Sequence, residues 1–487
     1  MIYDFKPYEF SFDTPESVGI PSSAITEYAR RLKDGGYGVQ GFIIYRKGKI
    51  VSRMIAQPYQ FDDQRHVYSI SKSWTGTAIG IARDEGLISL DDKVISFFPD
   101  KLPETVSDNL AAMTVHDLLS MSSGHDPDST GACIQSGDWV RTYLAYEVKY
   151  KPGTHWCYDS ANQYMLCAII QRVTGQSCLD YLRPRLLDPL GITGVEWDTC
   201  PEGINEGGWG IHVSPEDMLK LGMTYLNLGE FNGQRIFSVD WARRASSYKT
   251  ANAGSADWSQ GYCYTLWRCQ HQCFRGDGAF GQLMVILPEQ DAVWIHISDD
   301  NRFQEMMDIF WDTVYPAMQR TPGGEALPEN AAALGELRRI ETAFETSPLL
   351  SGGDTEGYAA CFTVEGCDVF DSIAIGSCGG KAEICIGRKD LDYIEEDWKF
   401  VAGNGKWTRI RHERFPTALY EMMQQQSALR PSHIASCFRR DGNVFSFNAQ
   451  FVDSPHGLRF TVDGDKMLLT VVRNIDPSHP SYYNLKK

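Results

Sequence analysis

No run of apolar residues in this sequence approaches the roughly 20 that a membrane-spanning helix needs. No run of basic residues interleaved with aromatics occurs either. Lys and Arg total 46 against 63 Asp and Glu, a formal net charge of -17. A surface that acidic repels a phosphate backbone, so nucleic acid is not an expected partner, and without a membrane-length apolar run neither is a membrane. The first thirty residues, opening MIYDFKPYEFSFDTPESVGI, carry early acids and no continuous apolar core, and do not read as a secretory signal peptide. The thirteen cysteines contain no CxxC and no Cys/His pair at zinc-finger spacing. No metal is therefore expected, and reduced, buried thiols of a cytoplasmic protein are; Cys263, Cys269 and Cys273 are read as such packing residues.

Several catalytic signatures are missing too. There is no G-x-S-x-G, which disfavours an α/β-hydrolase elbow, and no H-E-x-x-H, so histidines such as His116 and His212 are read as structural. Gly376-Ser-Cys-Gly-Gly380 lacks the Lys-Ser/Thr ending and following helix of a phosphate loop. No cofactor is implied. Neither an internal repeat nor a low-complexity tract is found.

What is present is an ordinary globular composition, 43% hydrophobic and 22% charged. At 487 residues it exceeds what one core usually organises, so two domains are expected. Val39 to Tyr45 and Lys49 to Val51 read as strands joined at Gly48. Ile70 to Asp84 reads as a helix stopped before Gly86, and Asn162 to Thr174 as another closed by Gly175. Thr114 to Met121 has helical spacing. Ser214-Pro215 is a helix start, with Ser as N-cap and Pro at the first position. Phe280 to Ile297 reads as a hairpin of buried strands. The Pro- and Gly-rich Thr321-Pro-Gly-Gly-Glu-Ala-Leu-Pro328 suggests a linker, followed by a short helix at Leu337 to Phe344. Beyond Gly352, short alternating strands between Gly and Asp turns predict an antiparallel β domain. The expected division is 1–322, a linker with a short helix at 323–350, and a β-rich domain at 351–487.

The most informative segment is His66-Val-Tyr-Ser69-Ile-Ser-Lys72-Ser. Ser and Lys three apart at a helix start share a face. The helix N-terminus favours an oxyanion near Ser69 and disfavours protonated Lys72. A hydroxyl becomes a nucleophile when a neighbour takes its proton, which a lysine does once its pKa falls from about 10.4 toward neutrality. Small residues, Gly76 and Gly80 among them, follow on this helix, as close packing requires. The pattern alone is weak, since Ser246-Ser-Tyr-Lys249 matches it as an exposed polar stretch.

Context comes from Lys151-Pro-Gly-Thr-His-Trp-Cys-Tyr158-Asp-Ser160-Ala-Asn162, where Tyr158 sits just ahead of a helix. A nearby cationic lysine would lower its phenol enough to act as a base. In Arg275-Gly-Asp277-Gly278-Ala279-Phe280-Gly281-Gln282, glycine-rich backbone at a strand edge lets a substrate approach, and a backbone N–H there could complete an oxyanion hole.

In order and flanks these segments resemble the serine β-lactamase and penicillin-binding-protein superfamily, in its class C-like branch. That branch holds β-lactamases, D-Ala-D-Ala carboxypeptidases, D-aminopeptidases, esterases and aminohexanoate-dimer hydrolases. Asp84-Glu-Gly-Leu-Ile-Ser-Leu-Asp-Asp-Lys93, Met113 to Gly124 and Gly207-Gly-Trp-Gly-Ile-His-Val-Ser-Pro-Glu-Asp217 extend the likeness over about the first 320 residues. The resemblance implies an α/β (α+β) fold, an antiparallel sheet flanked by helices with a helical subdomain carrying Tyr158. It makes Ser69 the acylated nucleophile, Lys72 the base or its partner, Tyr158 the proton shuttle, and the N–H groups of Ser69 and Phe280 the oxyanion hole. The first base stays open between Lys72 and Tyr158. Ser160, Asn162, Asp277, Gly278 and Ala279 are the expected substrate-binding positions.

Two departures matter. The second motif is commonly Tyr-x-Asn and here is Tyr158-Asp159-Ser160; Asn162 lies two residues on. Where many members carry Lys or His in the third motif, this chain has Asp277, which would repel a substrate carboxylate. The expectation is a serine hydrolase acting through an acyl-enzyme on a small ester, amide or short peptide rather than an acidic β-lactam. A β-lactamase, a D-Ala-D-Ala carboxypeptidase, or a penicillin-binding sensor that acylates without turnover is the alternative. The β-rich tail would cover the cleft or mediate homo-oligomerisation.

Overall fold

The computed structural model describes residues 8–254, 256–345, 350–388, 397–412, 432–474 and 476–487. Part of the expected linker, 346–349, lies outside them, as do the first seven residues of the N-terminal segment.

A six-stranded antiparallel sheet organises the N-terminal part, in the order Lys49–Ile55, Val39–Arg46, Ala292–Ser298, Gln282–Leu287, Phe274–Gly278, Trp267–Arg268. The first hairpin and the last therefore meet at the centre, with Phe42 opposite His296 and Ile44 opposite Trp294. Both faces are covered, which explains the unbroken apolar runs Leu-Met-Val-Ile-Leu and Ala-Val-Trp-Ile. On one side Phe42, Ile44, Val285 and Trp294 pack against the helices Ser22–Asp34 and Phe303–Arg320. Trp294 lies flat on Phe310, ring centres 4.1 Å apart. On the other side Ile43, Met284, Val293 and Ile295 join the core of the helices Ser71–Asp84, Ala161–Thr174 and Pro215–Leu226.

Local chemistry sets the helix ends. Ser214 accepts from Asp217 N–H while Asp217 reaches back to the Ser214 N–H, and Pro215 opens the helix. Gly175 closes Ala161–Thr174 with φ +71°. The glycines of Ser71–Asp84 are there for close approach: a Cβ on Gly76 would lie 2.1 Å from Thr265 Oγ1, and one on Gly80 2.2 Å from the Trp241 ring.

The helix Ala331–Glu345, longer than the Leu337–Phe344 expected, packs on Ser22–Asp34. Beyond it, strands from Tyr358–Glu365 to Asp476–Lys486 form one ten-stranded sheet. Gly403 and Asn404 also pair with Cys437 and Phe438, which curls the sheet into a barrel-like form. Its interior is a separate core of Phe362, Ile384, Phe400, Phe438, Phe447 and Phe460. The barrel touches the first unit beside the Ser69 turn: His66 N–H donates to Asp453 O at 2.9 Å, and Arg409 forks onto Asp63 at 2.9 and 2.8 Å.

Candidate active site

Ser69 does not start the long helix but sits in the single 3-10 turn Tyr68–Ile70 that leads into it. The turn is held on both sides. Ser71 Oγ donates to Tyr68 O and accepts from Ile211 N–H at 3.2 Å, and Thr75 Oγ1 donates to Gly207 O at 2.8 Å. Glycine at 278 lets the edge strand close on the same turn, since a Cβ there would lie 2.2 Å from Val67 O.

Lys72 is 1% exposed. Its Nζ lies 2.8 Å from Ser69 Oγ and 2.7 Å from Gly208 O. Burial lowers its pKa to about 7, with Asp159 and Asp277 opposing weakly. The same amine stands 4.8 Å from the centre of the Tyr158 ring. Tyr158 comes from the loop ahead of Ala161–Thr174 and stacks on Trp267, ring centres 5.3 Å apart. Burial drives its phenol well above its ordinary range, against a lowering hydrogen bond from Ser69. The expected depression of Tyr158 by a cationic neighbour is therefore absent, because desolvation outweighs charge.

The remaining expected positions divide. Ser160 stands at the N-cap of Ala161–Thr174, half-buried, and caps nothing with its side chain. Asn162, expected to bind substrate, is instead buried in the core and accepts from Tyr143 Oη at 2.7 Å. Helical geometry places it on the inward face. Asp277 is not an unbalanced charge: Arg275 Nε donates to its Oδ2 at 2.7 Å, and both are buried. Burial nevertheless raises its carboxyl, with Arg275 opposing. The predicted repulsion of a substrate carboxylate is thereby largely cancelled. Ala279, exposed, and Phe280, half-buried, form the tip of the hairpin between Phe274–Gly278 and Gln282–Leu287. Phe280 has φ +63°, and its carbonyl accepts from Ser298 Oγ at 2.7 Å and Gln282 Nε2 at 3.1 Å.

Three features escaped the sequence reading. Asp159, to which the sequence assigned no role, is fully buried and accepts from His125 Nδ1, Ser129 N and Oγ, and Thr130 Oγ1. Burial alone would raise its carboxyl, but His125 and Ser129 outweigh that and hold it below its ordinary range. It anchors the loop that presents Tyr158. An aromatic cluster of Trp156, Tyr158, Trp258, Tyr262 and Trp267 packs around the Tyr158 ring, with Arg275 4.5 Å over Trp258; most of these residues are too far apart in sequence to signal it. Finally, His66, Asp198 and His212 bring ligand-type atoms within 4.8 Å behind the Ser69 turn. Gly210 N–H already donates to His66 Nε2 at 3.1 Å, and His212 Nε2 stands 3.5 Å from Asp198, which suits a hydrogen-bonded prop for the turn.

The beta-lactamase family model matches residues 27–309. A 6-aminohexanoate-dimer hydrolase of Paenarthrobacter ureafaciens is 25% identical over 283 residues, 53% of this chain and 71% of that protein. A lovastatin esterase of Penicillium rubens is 26% identical over 32% of this chain and 46% of its own length. In structure, a Bacillus anthracis protein assigned as a 6-aminohexanoate-dimer hydrolase has a TM-score of 0.55 at 18% identity, covering 66% of this chain and 89% of that one, a likeness of fold.

Proposed function

The chain belongs to the beta-lactamase family, and from that premise we propose that it is a serine hydrolase that cleaves a small ester or amide through an acyl-enzyme on Ser69. The observation that carries this is the 2.8 Å contact between Ser69 Oγ and Lys72 Nζ, made by an amine whose pKa burial brings to about 7. Such an amine is neutral often enough at physiological pH to accept a proton.

Neutral Lys72 takes the Ser69 hydroxyl proton as Oγ bonds to the substrate carbonyl carbon and the carbonyl electron pair moves onto oxygen. The backbone N–H groups of Ser69 and Phe280 receive that oxyanion. Its collapse breaks the bond to the alcohol or amine, which leaves with a proton from Tyr158; Tyr158 recovers one from Lys72. Water then repeats the sequence, freeing the acid and Ser69. The raised phenol supports Tyr158 as the acid, and so Lys72 as the first base.

For the substrate, a neutral acyl ester or amide fits best. The half-buried Trp156 offers apolar surface beside Tyr158, and the guanidinium of Arg275 is already committed to Asp277. Relatives named as an esterase and as a dimer hydrolase support the same class. The test is turnover of nitrophenyl acyl esters by wild type, Ser69→Ala and Lys72→Ala, with mass spectrometry of the acylated protein and a penicillin lane. Turnover lost in both variants, with the adduct on Ser69, is expected. Faster turnover of acidic penicillins than of neutral esters would overturn the substrate class, and a lasting Ser69 adduct without turnover would make the protein a sensor.

A further inference from the structure

Among the described residues, the barrel sends the side chain of His456 to the turn that carries Ser69. His456 lies in the turn between the strands Val444–Phe451 and Gly457–Asp463 and is 1% exposed. Its backbone is pinned, since its carbonyl accepts from Phe451 N–H at 3.1 Å and Gln450 Nε2 at 2.6 Å. Its Nδ1 lies 3.0 Å from Asp299 Oδ1, at the end of the central strand Ala292–Ser298. A carboxylate only accepts, so Nδ1 carries a proton toward Asp299, and Nε2 on the other side of the ring is in hydrogen-bond contact with the Tyr68 phenol. Tyr68 immediately precedes Ser69.

The same imidazole also touches the other half of the proposed oxyanion hole. Its ring centre lies 4.6 Å from that of Phe280 and 6.0 Å from that of Tyr68, and the Tyr68 and Phe280 rings meet edge-on at 5.0 Å. Tyr68 and Phe280 both have left-handed backbones, φ +50° and +63°. Neither residue is glycine, so each conformation is strained and persists only where the surroundings enforce it. Three mutually packed rings, one of them tied to Asp299, supply that enforcement.

The geometry points to His456 as a positioning residue: the C-terminal barrel, through the Asp299–His456–Tyr68 chain and the ring contact to Phe280, holds the two oxyanion-donating backbones in place. The inference rests on the serine-hydrolase reading above. Its consequence is that the barrel is part of the catalytic apparatus and not an appended module.

The test uses the full chain and two readouts, the rate at which a fluorophosphonate phosphonylates Ser69, followed by mass, and ester kcat and KM. His456→Ala is expected to lower the labelling rate and kcat by about 10- to 100-fold, the scale on which small misplacements act, with KM within about threefold. Tyr68→Phe keeps the ring and loses the hydroxyl, and should fall between wild type and His456→Ala. The double variant should be no worse than His456→Ala alone, and His456→Gln, which can still accept from Tyr68, should recover part of the loss. If His456→Ala fails to fold, Tyr68→Phe and His456→Gln decide. Variants that label and turn over like wild type, or that change only KM or melting temperature, overturn the inference alone. Wild-type protein that never labels on Ser69 overturns the hydrolase reading, and this inference with it.

Discussion

Lys72→Met separates the two consequences of burying an amine beneath the nucleophile. Moving Lys72 from an ordinary 10.5 to about 7 corresponds, at about 1.4 kcal/mol per pKa step, to roughly 5 kcal/mol against the ammonium in the fold. The sign follows from proton binding. Below pH 7 both folded and unfolded chains hold the proton, and the folded state bears the whole penalty. Between 7 and 10.5 the unfolded chain binds more protons, so stability climbs with pH; above 10.5 the penalty is gone. Methionine keeps the volume without the charge, but leaves Gly208 O without its 2.7 Å donor, a loss of about 1–3 kcal/mol. Lys72→Met should therefore be more stable than wild type by about 2–4 kcal/mol at pH 6. That gap should close and then reverse toward pH 10, measured by urea denaturation across the range. In the same variant ester kcat should fall by about 10²–10⁴-fold. Wild-type kcat/KM should rise to a plateau through a midpoint near 7. A stability gap independent of pH, or activity flat between pH 5.5 and 8.5, would refute the reasoning.

Tyr158→Phe removes the proposed proton donor while keeping the stack on Trp267, and kcat should drop about 10²–10³-fold with the melting temperature nearly unchanged. Asn162→Ala should leave KM alone and cost about 1–3 kcal/mol in denaturant melts, because the Tyr143 hydroxyl loses its acceptor; a selective rise in KM would return Asn162 to the cleft. Arg275→Met strands the buried Asp277 carboxylate and should destabilise by about 3–5 kcal/mol, most of it restored in Arg275→Met/Asp277→Leu.

Much of the fold was legible because its signals are local. Capping at Ser214-Pro215, the stop at Gly175, the turn at Gly48 and the apolar runs around Pro288 each act within a few residues, and the observed elements begin and end close to them. The spacing of Ser69 and Lys72 likewise places two groups on one side of a turn wherever that turn sits. Asn162 misled because motif spacing does not specify which way a helix faces; packing against Tyr143 does.

What the sequence determined by itself was the list of reactive groups and the elements that carry them: a serine and a lysine at a helix start, a tyrosine ahead of another helix, a glycine-rich hairpin and a β-rich tail. What tertiary structure decided was their electrostatics and company. Lys72 is basic near neutrality because the surrounding helices and strands strip it of water. Asp277 is paired because a neighbour two residues back on the same strand face points the same way. His456 meets Tyr68 across 388 residues of chain. Proton affinity, pairing and strain depend on neighbours brought together by the fold, and no local pattern encodes which neighbours those are.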